Sequence, residues 1–147
     1  MVNALLADFY ARDINKLIEE VKLFEDEENL WKTVGSIKNS SGNLALHVIV
    51  GLNFLMGTTL AHTGYVRNRD QEFTGKAVKR EWLVARLEEL IPMINEAITA
   101  ITQEHMEAEY PLIFDNMKVS NSYVLLQLLL HLNYHLGQVN YLRRMLE

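Results

Sequence analysis

Cysteine is missing from all 147 residues. That excludes a disulfide framework, a thiolate nucleophile belonging to the chain and any cysteine-ligated zinc site. It also accords with a cytoplasmic location. Proline occurs twice and glycine seven times, a scarcity that suits long helices. Basic residues hold no excess: fourteen Lys and Arg against nineteen Asp and Glu leave a formal charge of −5. Such a balance argues against a surface for nucleic acid or for an anionic membrane. No apolar run is long and clean enough to span a bilayer. The opening stretch MVNALLADFYARD meets Asp8 and Arg12 too early for a secretory core. Internal repeats and low-complexity tracts are also absent. What is present is 49% hydrophobic and 22% charged residues, the balance of one globular domain over residues 1–147 with a substantial core.

Helical periodicity dominates. From Val2 to Glu27, Leu5, Leu6, Phe9, Ile14, Leu17, Ile18, Val21 and Leu23–Phe24 recur at helical spacing, with Asp8, Arg12, Lys16, Glu19 and Glu20 on the other face. Acidic residues 25–28 oppose the dipole at that helix's C-terminus, so the helix frays or stops before them. A connector follows to Ser41, with Trp31, Val34 and Ile37 tucked into the core. Asn39, Ser40 and Ser41 supply the N-cap of a second helix, Gly42 to His62. Residues 64–76, GYVRNRDQEFTGK, form a polar loop holding Arg67, Arg69, Asp70 and Glu72. It reads as solvated loop first and as a lid or ion-paired strap second. A third helix runs from Val78 to Ile101, with Trp82, Leu83, Leu87, Leu90, Ile91, Ile94, Ile98 and Ile101 on one side. Pro92 within it implies a kink or a break near Ile91. Residues 103–120 are irregular and end at a Ser120–Ser122 cap; Leu112, Ile113 and Phe114 pair briefly as extended structure or anchor that loop. The last helix spans Val124 to Leu146. The expected fold is therefore all-α, a four-helix bundle with long connectors after helices 1, 2 and 3. Those connectors leave the packing order open.

The last helix carries His131 and His135 one turn apart, about 40° around the axis. Its other sides are greasy (Leu125, Leu128, Leu129, Leu132, Leu136, Val139), so the helix reads as buried and both imidazoles as withdrawn from water. A core histidine satisfied by a carbonyl explains such a pair as readily as a metal does. The balance shifts with His47, in an equally apolar setting on the second helix. Bundle interiors let facing helices aim ligands at one point. Three neutral imidazoles suit a borderline divalent ion, with zinc or nickel foremost. The stripe carries no carboxylate, which argues against calcium or magnesium. Three ligands leave a coordination position open, the pattern of a catalytic metal. Gln127, Tyr134 and Gln138 share the stripe and are candidates to orient the ligands, or plain core hydrogen-bonders. Gly51, one turn beyond His47, leaves room either for close helix packing or for a ligand. His62 lies too far along the second helix to join, and His105 is expected to be exposed. No acid or base can be named.

His47 followed far downstream by HLNYHLGQVNYLRRM resembles the DinB-like, YfiT-like metalloenzyme superfamily. Gly137-Gln138-Val139 and Arg143-Arg144 match that family's Gly-Gln-hydrophobic tail and basic end; SSGNLALHVIVG and VRNRDQEF resemble one of its branches. The first and third helices match only as amphipathic patterns. The resemblance implies an up-and-down bundle, often dimeric, a divalent metal on His47, His131 and His135, and in some members thiol S-transferase or hydrolase activity. With no cysteine of its own, such an enzyme would need a small-molecule substrate and a low-molecular-weight thiol as cosubstrate. The alternatives are a non-catalytic metal-binding or structural bundle and a binder of an apolar ligand. Leu126, Leu130, Asn133 and Asn140 share a flank away from the histidines, which suggests a homodimer.

Overall fold

Periodicity translates into helices with ends set by local hydrogen bonding. In the computed structural model residues 2–68 and 77–147 are described. Helix α1 covers Val2–Leu23 and buries Leu6, Tyr10, Ile14, Leu17, Ile18 and Val21 at three- and four-residue spacing. It stops before the acidic run, as the dipole argument requires. Asp26 instead caps a 3-10 turn, Glu27–Trp31, accepting from the Glu28 backbone N–H. The Glu147 carboxylate ties the chain's last residue to this corner, accepting from the backbone N–H groups of Glu25 and Asp26. Leu5, Phe9 and Leu23, expected on the core wall, are exposed, because the buried arc of α1 is narrower than its apolar arc. Trp31 and Val34 pack against the core, whereas Ile37 is exposed rather than tucked in.

Ser40 opens α2, Ser41–Leu52, by accepting from Asn43 N at 3.1 Å. A π-helical segment, Asn53–Thr58, prolongs it. The helix ends short of His62, whose φ of +54° takes the chain into the left-handed region where helices terminate. Ser41–Thr58 is long and apolar enough to cross a bilayer, contrary to the expectation that no stretch is. Yet 56% of it is buried in the bundle, as for a core helix. Helix α3, Arg80–Ala100, runs through Pro92 without a break. Its buried face is Leu83, Leu87, Leu90, Ile94 and Ile98; Trp82, expected there, is exposed beneath the Arg86 guanidinium.

The stretch expected to be irregular holds a short helix α4, Gln103–Glu107, capped by Thr102. Beyond it come two isolated bridges, Glu109 with Ser120 and Phe114 with Met117. Of the three apolar residues there, Phe114 packs on the core while Leu112 and Ile113 are exposed. His105 is exposed. Helix α5, Asn121–Leu146, begins at a Ser120 cap that accepts from Tyr123 N.

Directions follow from cross-helix bonds. Asn133 donates to Asp13 at 2.9 Å, and Asn140 and Arg143 donate to Glu20 at 2.7 and 2.8 Å. Residue numbers climb together, so α1 and α5 are parallel. Asn3 donates to the carbonyls of Ile98 and Ile101, while Arg80 reaches the Lys22 carbonyl; α3 is antiparallel to α1. Helix α2 runs antiparallel to α5. The four-helix bundle is thus ordered up, down, down, up, with the connector after α2 returning the chain to its starting end.

Candidate metal centre

Helix α2 brings His47 to the face of α5 that carries His131 and His135. The Nε2 atom of His131 lies 2.9 Å from Nε2 of His47 and 2.9 Å from Nε2 of His135. One ligand nitrogen from each ring lies within 4.8 Å of the others. The rings meet edge-on, at 70°, 90° and 84°. All three predicted histidines therefore converge. The expectation that both members of the α5 pair are buried fails for one: His135 is 9% exposed, but His131 stands exposed at the rim. Helix α5 has neighbours on only part of its circumference, so its apolar residues do not all find cover.

Convergence of unprotonated nitrogens requires that they resist protonation. Burial pushes His131 down to about 4, helped by the imidazoles of His135 and His47 and opposed by the Asp115 carboxylate. Burial lowers His135 as well, partly offset by its bond to Gln138. That bond joins His135 Nδ1 to Gln138 Oε1 at 2.7 Å. A proton on Nδ1 leaves the Nε2 lone pair facing the other rings. Of the three orienting candidates, Gln138 thus touches a histidine of the triad directly. Gln127 instead donates to the Tyr123 hydroxyl at 3.1 Å. Tyr134 is 64% exposed, its ring tilted against His135 at 5.5 Å.

The lowering at His131 and His135 carries a pH signature. An unfolded histidine titrates near 6.5, so as pH falls through 6.5 the unfolded chain gains protons that these two native side chains refuse. Stability present above 6.5 is lost down to about 4, where His131 itself protonates. With the ring half in solvent, the loss for this residue is about 1 kcal/mol. Thermal melts of metal-free protein should fall over this window, and less steeply in His131→Gln. An unchanged slope would contradict the shift.

A cavity of about 420 Å³ opens beside His47 and His131. Its wall includes Val48, Leu52, Leu55 and Leu128, and Gln127 and Tyr134 reach its edge. Gly51 lines it too, and a Cβ built there meets nothing within 4 Å. The missing side chain therefore makes room for a ligand and not for close helix packing. Leu130, expected on a flank away from the histidines, lines the same cavity; Asn133 and Asn140 turn to the carboxylates of α1. Sequence reasoning missed Asp115 and Phe114 of the connector before α5, and did not connect Arg67 with the site. All three line the cavity. The only local signal for Asp115 is an Asp-Asn pair between apolar residues, a hairpin turn pattern. The helix stripe carries no carboxylate, as expected, and Asp115 reaches the cavity from the connector instead. His62 and His105 lie apart. Arg69, Asp70 and Glu72, with the lid reading placed on them, fall outside the described residues. A second, more open hollow of about 730 Å³ lies on the His135 side, bounded by Leu44, Gln138, Tyr141 and Met145 among others.

The chain matches a family model and is similar to solved structures. The model of the family described as "Protein of unknown function (DUF1572)" matches residues 8–147. The crystal structure of a DinB-like protein from Bacillus cereus ATCC 10987 superposes with a TM-score of 0.74 at 15% identity, covering 95% of this chain and 89% of that one. At that identity the likeness speaks for the fold. No curated protein matches.

Proposed function

We propose a metal-dependent role for this chain, which belongs to the DUF1572 family, a DinB/YfiT-like family, and has the DinB-like fold. In this reading His47, His131 and His135 hold one divalent ion. The observation that carries it is the pair of 2.9 Å Nε2 separations centred on His131. Two nitrogens each roughly 2.0–2.1 Å from one ion stand about 2.9–3.4 Å apart for bond angles from square to tetrahedral. Without an ion the arrangement is poorly satisfied, because one proton on His131 Nε2 can point at only one of its two neighbours. The donor set is three neutral imidazoles, which suits a borderline ion, zinc or nickel before others.

An ion held there would be reached from the cavity, which His47 and His131 line. When bound, it would act as a Lewis acid and make coordinated water or thiol more acidic. The chain's own contribution is to disfavour protonation of His131 and His135, to orient His135 through Gln138, and to enclose a small molecule against an apolar wall. Having no cysteine, the chain would take its thiol from solution, as a thiol-dependent S-transferase; hydrolysis is the other chemistry the open position suits. The composition favours the cytoplasm. Elemental analysis tests the core of this reading: about one zinc or nickel per chain is expected in purified or reloaded protein, and none after reloading would overturn it.

A non-catalytic dimeric bundle is the second reading, favoured by one feature of α5. Leu126, Leu130, Tyr134, Tyr141 and Met145 are each more than half exposed and fall within about 100° of the helix circumference. An apolar stripe of this kind marks an association surface, and a second copy of the chain is the proposed occupant. Light scattering at micromolar concentration should give a dimer mass, and the double variant Leu126→Glu/Tyr141→Glu a monomer mass. A monomeric parent protein would end the idea.

A further inference from the structure

Opposite the helix wall, one carboxylate reaches the cavity beside the histidines. It belongs to Asp115, and it is the only acidic side chain lining that space among the described residues. Its placement is built, not incidental. Phe114 N donates to Met117 O and Met117 N to Phe114 O, both at 2.9 Å. Between them Asp115 and Asn116 take φ values of +47° and +62°. This is a two-residue hairpin turn with both central residues left-handed, a conformation that Asp and Asn tolerate better than other side chains. The turn is anchored beneath: the Phe114 ring packs edge-on against Tyr110 at 6.4 Å, and the Tyr110 hydroxyl donates to the Leu55 carbonyl at 2.7 Å. Leu55 itself lines the cavity.

The carboxylate makes no hydrogen bond or ion pair with the described residues, and its field reaches His131. An ionised carboxylate accepts and cannot donate, so its complement is a cation or a strong donor. The remaining wall is mostly apolar, and in such a site a few charged groups set orientation and selectivity. The one cation on the wall among the described residues, Arg67, has its guanidinium over the Phe54 ring at 5.5 Å.

We infer that the cavity takes a small ligand bearing an ammonium group, which pairs with Asp115 while the ligand's other end reaches the ion held by His47, His131 and His135. This rests on the metal reading above. Binding to cobalt-loaded protein separates the two. Cysteamine presents an ammonium two carbons from a thiol, 1-propanethiol puts a methyl group in its place, and 3-mercaptopropionate a carboxylate. Each titration is followed by thiolate-to-cobalt absorption, in the parent protein and in Asp115→Asn. Asparagine retains the left-handed turn and removes the charge.

The preference for cysteamine over 1-propanethiol should be about twofold to fivefold greater in the parent protein than in the variant, the size of a partly exposed ion pair. The affinity for 1-propanethiol and the cobalt content should not change. Comparing two proteins cancels the differing acidities of the thiols. Equal preferences in both proteins, tighter binding of 3-mercaptopropionate than of cysteamine, or no cysteamine band at millimolar concentration would each overturn the inference while leaving the metal site standing. Failure to bind cobalt at all would remove the metal reading, and this inference with it.

Discussion

His131→Gln protein should fold and lose its metal. His131 is the central donor: both of the 2.9 Å contacts in the triad end on its Nε2. Removing it leaves His47 and His135, with ring centroids 5.2 Å apart, and no third nitrogen between them. Loss of groups that merely orient a ligand costs about 10–100-fold in affinity, so loss of the ligand itself should exceed about 100-fold. Stability should survive, because the ring stands exposed at the rim and Gln is the better helix former. Metal-free parent and variant should melt within about 0.5 kcal/mol of each other. Elemental analysis paired with circular dichroism separates the outcomes. A folded variant that still carries stoichiometric metal would break the triad assignment.

The second large effect is expected from Gly51→Leu, which should empty the cavity of ligand while sparing the metal. Gly51 sits one turn along α2 from His47, and a Cβ there meets open space. A leucine side chain would project into the roughly 420 Å³ beside the histidines and take the place of a small ligand. Affinity of cobalt-loaded protein for 1-propanethiol should drop by more than about tenfold, since both steric exclusion and lost burial act together. Replacing a glycine inside a helix also relieves its entropic cost of about 0.5–1 kcal/mol, so the melting temperature should hold or rise. Cobalt content should be unchanged. Unaltered thiol binding would show that ligands reach the ion by another route, for which the hollow on the His135 side is the nearest candidate.

Local patterns in the chain proved sufficient for the four long helices and for placing His131 and His135 together. Three- and four-residue recurrence of Leu, Ile and Val marks the four long helices because each must bury one face. Ser40 and Ser120 mark two starts because a hydroxyl can accept an orphan N–H. One-turn spacing places His131 and His135 on one face whatever surrounds them. That His47 faces them across 84 residues followed from resemblance and from bundle geometry, not from any local signal. Three features depended on packing between distant segments. Helix α5 is apolar nearly all round, yet a stripe of it is bare, because exposure is set by how many neighbours a helix finds and not by its composition. The bundle runs up, down, down, up because the connector after α2 is long enough to carry the chain back, and length permits several returns without choosing one. Asp115 joins the cavity because a tight turn on the far connector is pinned to the π-helical segment after α2 through Tyr110 and Leu55. Periodicity constrains residues that are neighbours along a helix; it says nothing of where a turn comes to rest against another helix.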